Sequence, residues 1–475
     1  MLARIKEADM SDIGFAQARF GLGARAGEQV GSEAKGWALA QLDRSLAPVP
    51  DDVPDRRASA EKVAAFYGTL REFRDNGQSG EMDQAEIERD LRRQLRQSVG
   101  VDTVAMVNAR ARLAIDSDAP MLERMVHFWS NHFATSGRKP GVFGFAGNME
   151  FDAIRPHVMG RFEDMLLSAE AHPAMLLYLD QAQSIGPDSM IGRGAARRGR
   201  DLGINENLAR EILELHTLGV DGGYSQADVT EFAHALTGWT VAGLTRGPLQ
   251  RFARGEPGET IFVDAMHQPG SRTIIGQRFG DDGPDQAAEI LRMLARHPST
   301  ARHMATKLAR HFAADEPPPA MVARIEQAWL ASQGSLPTVY RAIIDSPEAW
   351  EATSAKFRNP WDWTIASLRA MGGETPDGRR LFGILNELGQ PTWQVPSPAG
   401  WDDVAGSWAG PDALVRRVEA AQRMAGLARG ADARDIAPAI VGTRWSETSA
   451  QAVRRAASAT DGFALFLVSP EMLRR

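Results

Sequence analysis

Apolar residues recur every three or four positions through most of the chain, the spacing of helices that bury one face. This pattern predicts helices through 32–112, where MDQAEIERDLRRQLR (82–96) pairs Glu with Arg at helical spacing as a solvated face. It predicts further helices over 119–135, 146–170 and 173–179, the first two separated by the turn chemistry of GRKPGVFG. Residues 181–203 fit neither helix nor strand. They read as a long Arg-rich loop carrying Arg193, Arg197, Arg198 and Arg200, either a lid or anion-attracting loop or a solvated insert. Helical spacing returns over 205–218. After VDGGYS, Ser225 with Asp228 three residues on marks a capped helix start. Within 243–283, ETIFVDAMHQPGSRTIIGQRF holds two β-branched runs around QPGS, the pattern of a β-hairpin or flap. From 285 helices resume, including 300–312, 321–332 and 336–344. An irregular Pro/Trp segment, 390–410, precedes two final helices.

The fold class predicted is mainly α: large helical bundle-like domains with a small β-hairpin or flap insertion. The expected organisation is an N-terminal helical lobe over 1–240, the insertion over 241–285 and a C-terminal helical lobe over 286–475.

Two of the helices carry more polar residues on their inward faces than packing needs. In NENLAREILELHTLG, placing residues about 100° apart gives an apolar stripe of Ile204, Leu208, Ile212 and Leu215. Asn207, Glu211 and Glu214 form a second stripe at its edge, with Glu211 nearest the core, where unpaired carboxylates are rare. Asn205 is placed as the N-cap, and Glu206 with Arg210 as an i,i+4 pair. His216 lies about 140° from Glu211 on a regular helix, so the two bracket a site rather than chelate one ion. In MLERMVHFWSNHFATS, His132 falls within the apolar face, while His127 lies with Glu123, Arg124 and Asn131 on the polar side.

Glu and His brought together from two helices suit a general acid/base pair and equally a bundle-core metal site. Glu211, Glu214, His132 and Arg210 are therefore the candidate catalytic residues. His132, Glu211 and His216 are the candidate ligands of a divalent metal. Asn205, Asn207, Asp180 and His267 are further binding candidates: Asp180 with Ser184 sits beside the Arg-rich segment, and His267 stands at the tip of the flap. Trp393, Trp401 and Trp408 would stack on a sugar or plug a groove, plugging being the commoner use. His303, Lys307 and His311 recur at i+4, a metal-capable spacing that solvent-facing helices also show.

Composition narrows this picture by exclusion. The 475-residue chain is 43% hydrophobic and 24% charged, ordinary for a folded protein. It has no Cys, which removes disulfides, thiolate nucleophiles, iron–sulfur ligation and Cys-type zinc sites. A net charge of -7 and pI near 5.9 give no reason to expect a nucleic-acid partner. No apolar run is long enough to span a membrane and the first residues lack a signal h-region, so the chain as written reads as cytoplasmic, with Met10 an alternative start. HExxH, GxSxG, Walker and strand-to-helix GxGxxG motifs are all missing.

Nearly end to end, the sequence resembles a bacterial family known as domain of unknown function 1800. The resemblance runs through RFGLGAR at Arg19, FWSNHF at Phe128, YLDQAQS at Tyr178, the long block NENLAREILELHTLGVDGGYSQADVTEFAHALTGWT from Asn205, HQPGSRTIIG at His267, HPSTARHMATKLARHF at His297, SPEAW at Ser346 and SPAGW at Ser397. His132, Asn205, Glu206, Asn207, Arg210, Glu211, Glu214 and His216 match the family motif. Ser130 stands where the family usually has His, and Gln181 where it has Asn, which counts against a His-x-His metal pair. The resemblance implies no known activity. It does imply that many members are exported and occur beside a sulfatase-like family, a potential functional partner. Two functions follow as expectations. One is a metal-dependent or acid/base hydrolase or oxidoreductase with its site between the His132 and Glu211 helices. The other is a non-catalytic helical scaffold whose polar residues form a buried network.

Overall fold

The computed structural model describes residues 12–475 except 29, 30, 32, 76–80, 201, 246–248, 250, 352–355, 373, 374 and 429–431, with the side chains of 73–75 and 81–85 also outside the description. Met10 lies outside the described residues. The architecture is mainly α, as the periodicity predicts; among the described residues the strands form two small antiparallel sheets. Several helices begin with Pro at their first positions, where the missing N–H costs nothing: Pro120–His132, Pro298–Phe312, Pro319–Ser332, Pro360–Met371 and Pro411–Ala425.

Two large apolar clusters organise these helices. The first runs from Phe15 to Trp350 and centres on packed rings, with Phe162 5.4 Å from Trp129 and 4.9 Å from Trp329. Apolar residues of 286–350 share it with those before 240. Trp129 Nε1 donates to Tyr340 Oη (2.8 Å), which donates to the Val158 carbonyl (2.9 Å), so the polar atoms of these two rings are paired. The second joins Val107 and Ala111 of the long Glu81–Asp116 helix to Trp361, Trp363 and Phe466. Pro120–His132 lies between the two and is buried on both faces. The side predicted as polar, with Glu123, Arg124 and His127, faces inward instead and is matched by buried partners. Arg155 holds Glu123 through two bonds of 2.7 and 2.8 Å, and Trp361 Nε1 donates to His127 Nδ1 at 3.1 Å.

Three local expectations are corrected. Residues 181–203 contain a helix, Met190–Ala196, started by Ser189, whose hydroxyl accepts from the Gly192 N–H. The β-branched runs do not pair across QPGS: β1 (Trp239–Val241) pairs with β2 (Thr260–Phe262), and β3 (Arg272–Ile274) with β4 (Gln277–Phe279). The β3–β4 turn is Ile275–Gly276, both at positive φ (50° and 74°). After the Pro/Trp segment come not two helices but several short ones, including Ala433–Val441, Glu447–Arg454 and Ala459–Leu467.

The predicted cap at Ser225 is present, and its Asp228 does more than cap. Asp228 Oδ2 accepts from the Ser225 N–H (2.7 Å), while Oδ1 accepts from the N–H of Ile275 (2.7 Å), holding a β-branched residue in a conformation it disfavours. Asp228→Ala is expected to lose both contacts and destabilise by about 1–3 kcal/mol in urea unfolding. An unchanged midpoint would show that the turn holds without it. Among the described residues no helix is long and apolar enough to cross a membrane.

Candidate functional site

A pocket of about 340 Å³, within the range of small-ligand sites, opens where the two cores meet. One wall is the C-terminal half of Pro120–His132; the opposite wall is Pro298–Phe312. Asn359 to Asp362 close one end, and the Pro/Trp segment from Gln390 to Val404 forms the roof. Asn131 fastens that roof from below: its Nδ2 donates to the Trp401 carbonyl (2.9 Å) and its Oδ1 accepts from the Trp401 N–H (2.8 Å). Gly400 sits at φ 81° directly above, where an added Cβ would lie 2.3 Å from the Asn131 carbonyl oxygen, so only Gly fits.

Of the sequence candidates, His132 faces this pocket. Its ring is buried; Nε2 donates to the His216 carbonyl (3.2 Å), which leaves Nδ1 as an acceptor for Lys307 Nζ at 2.8 Å. Burial pushes the His132 imidazole far below its ordinary value, and Lys307 pushes it further, so the ring is neutral. Lys307 is half-buried, and burial lowers its amine to about 8, with Asp403 pulling it up and Arg310 pressing it down. His303, Lys307 and His311, expected to face solvent, instead line the pocket. His311 Nδ1 donates to Asp403 Oδ2 at 2.6 Å, and its Nε2 lies 3.4 Å from Arg124. Burial lowers His303 to about 3 and His311 to about 4.

The remaining candidates fall into other places. The predicted regular helix is only Asn207–Glu211, followed by a wider π turn over Ile212–His216. The wider turn breaks the 100° arithmetic: Leu213 enters the core while Leu215 reaches the pocket wall. Asn207 is exposed, and Glu211 and Glu214 are only half-buried, so the expected buried carboxylate stripe lies on the outer face. There Arg210 pairs with Glu206 (3.1 Å) and Glu214 (3.7 Å). Burial raises the Glu211 carboxyl above its usual range, with His216 opposing that rise. Asn205 stands one residue before the N-cap, which is Glu206 and not Asn205 as expected; its Oδ1 accepts from the Asn207 N–H, and with Asp180 it lines a separate shallow groove. His267 is not at a flap tip; it is buried with Nδ1 2.8 Å from the Thr237 carbonyl.

His216 is sealed in the interior with a partner the sequence did not expose, Glu170: Nδ1 and Oε1 are 2.8 Å apart and both side chains are fully buried. A metal set of His132, Glu211 and His216 does not assemble, and among the described residues no three His, Asp or Glu side chains are disposed to hold a metal ion. A second π turn, Glu150–Ile154, delivers another carboxylate missed from sequence. Glu150 lies behind the wall and accepts from Arg110 Nε (2.8 Å), Ser130 Oγ (2.7 Å) and Trp393 Nε1 (3.1 Å), so it fixes three pocket-lining side chains at once. Ser130, in place of the His expected of the family, thus serves this carboxylate. Gln181 is fully buried and donates to the Leu236 carbonyl, a packing role. Of the three Trp, Trp393 and Trp401 line the pocket as part of its roof, while Trp408 is tied to the Asp402 carbonyl.

No curated protein and no solved structure is similar to the chain. One family model does match, over residues 16–474, nearly the whole of it. By that match the chain belongs to a family described as protein of unknown function, DUF1800.

Proposed function

We propose that the pocket binds a small anionic molecule and acts on it by acid/base chemistry, with Lys307 as the group that exchanges a proton near neutral pH. The observation that carries this is Lys307 Nζ held 2.8 Å from the neutral His132 ring in a pocket wall, without a carboxylate salt-bridge partner among the described residues. The other cations there are differently placed: Arg124 is paired with Asp362, and Arg110 with Glu150. Arg310, one turn beyond Lys307, spends its Nε on the Asp315 carbonyl. Two cations on one helix face thus remain for a ligand's negative charge. Acid/base hydrolysis fits this set; the metal-dependent branch lacks a donor cluster among the described residues.

Titration calorimetry with small carboxylates, phosphates and sulfates is expected to find a ligand whose affinity falls about tenfold to a hundredfold in Lys307→Met. Equal binding by that variant would remove Lys307 from the site. A scaffold is the second reading, favoured by the sealed Glu170–His216 pair, which has no access to any ligand. A panel that binds nowhere, together with a second protein retained stoichiometrically through purification, would make that the better account.

A further inference from the structure

We propose that Lys307 is a nucleophile: its amine adds to the carbonyl carbon of a small aldehyde or ketone that bears a carboxylate or phosphate, and the pocket holds the resulting imine. This rests on the anion pocket described above and names its substrate class. Addition forms the C–N bond and moves the C=O π electrons onto oxygen, which takes a proton. The second amine proton then passes to the hydroxyl, the C–O bond breaks, and water leaves the C=N bond behind. No oxidant or reductant is required.

Geometry supports the amine in this role. Because His132 Nε2–H is committed to the His216 carbonyl, Nδ1 can only accept, so it takes one N–H of the amine and leaves the nitrogen lone pair directed away from the ring. The π turn that frees the His216 carbonyl therefore makes His132 a positioning residue. Arg310 is one turn along the same wall, with its Nε fixed on the Asp315 carbonyl, and it supplies the anchor for the anionic group. Residue type adds to this. Of the 54 basic residues of the chain only six are Lys, and two of those, Lys307 and Lys356, lie at or beside this pocket. Lys356 is enclosed by Asp315 and Asp403, so its charge is matched. An Arg at 307 would supply the same charge but no nucleophile, since a guanidinium stays protonated. Burial adds to the case by lowering the Lys307 amine to about 8.

The test uses the full chain, glyoxylate as an aldehyde bearing a carboxylate, and cyanoborohydride to trap the imine, with the modified lysine located by peptide mass spectrometry. At pH about 7, Lys307 is expected to become carboxymethylated at least about tenfold faster than Lys35, Lys62 or Lys139, because each of those is tied to a carboxylate while the Lys307 amine faces the pocket beside Arg310. Acetaldehyde, which lacks the carboxylate, should label it more slowly, and Arg310→Gln should erase that difference. Labelling of Lys307 no faster than those three lysines overturns the imine. In that event the anion pocket is judged separately, by whether phosphate or a carboxylate still raises the melting temperature of the native protein. Lys307→Arg, which keeps the charge and cannot form an imine, must lose trapping while retaining that thermal shift; loss of the shift in the native protein as well would remove both readings.

Discussion

Acidification from pH about 7 to about 5 is expected to unfold this protein before its carboxylates take up protons. The pocket walls hold His127, His132, His303 and His311, each pushed below the ordinary imidazole value first by burial, His303 to about 3 and His311 to about 4. Neighbouring cations add to the effect: Arg110 at His127, Lys307 at His132 and His303, Arg475 at His311. A histidine whose folded value lies below its unfolded value contributes stability that is complete above about pH 6.5. That stability is lost as pH falls toward the folded value, because the unfolded chain binds protons the fold cannot. Four such groups give a slope approaching four protons, about 5 kcal/mol per pH unit between about pH 6 and 4, comparable with the whole stability of an ordinary domain.

Burial opposes ionisation of Asp362 and Asp403 too, but their cationic neighbours outweigh it and hold both well below the carboxylate range, so their contribution persists above about pH 4. The opposite end of the scale carries a separate signature. The Lys307 amine is lowered to about 8, so stability should rise as pH increases from there toward about 10.5. Urea midpoints measured from pH about 8 down to about 4.5 check the first claim. A flat midpoint over that range would mean that the pocket histidines are solvated and chargeable in the folded protein.

Why the site was only half legible follows from what periodicity can encode. Helix positions follow from local spacing, and His132 stood out because an imidazole interrupts an apolar face. Its partner did not, since Lys307 is 175 residues away and nothing local joins the two. The His303, Lys307, His311 repeat was visible, yet a helix face turned to a polar pocket has the same residue pattern as one turned to water. Glu211 and Glu214 lie farther out than their spacing predicts for a different reason. The arithmetic assumed 3.6 residues per turn, and the π turn over Ile212–His216 carries the fully buried role to His216, with Glu170 from another helix. Spacing puts Glu123 and Arg124 on the polar side, but one helix's sequence cannot show that a second core covers that side. The buried positions of Arg155 and Asp362, both distant in sequence, supply the answer.

That second core is the ground for the other large effect: Asp362→Ala is expected to destabilise the protein by about 3–5 kcal/mol, the usual cost of breaking a buried ion pair by removing one partner. Asp362 Oδ2 lies 2.8 Å from Arg124 NH1 and 3.3 Å from Arg475 Nε, and all three side chains are at most 5% exposed. Deleting the carboxylate leaves the Arg124 guanidinium in the interior without its carboxylate, and leaves Arg475 with Asp403 at 3.8 Å. The contact also joins Pro120–His132 to Pro360–Met371, and so one core to the other at the end of the pocket. Arg124→Met combined with Asp362→Leu should recover part of the loss, because matched apolar side chains relieve the unpaired charge that the single change leaves behind. Denaturant unfolding decides it: a single variant within about 0.5 kcal/mol of the native protein would place the two arginines in contact with water and remove the network as the tie between the cores. A large loss in the single variant, with partial recovery in the double, would show that the pocket's end wall is held by charge pairing.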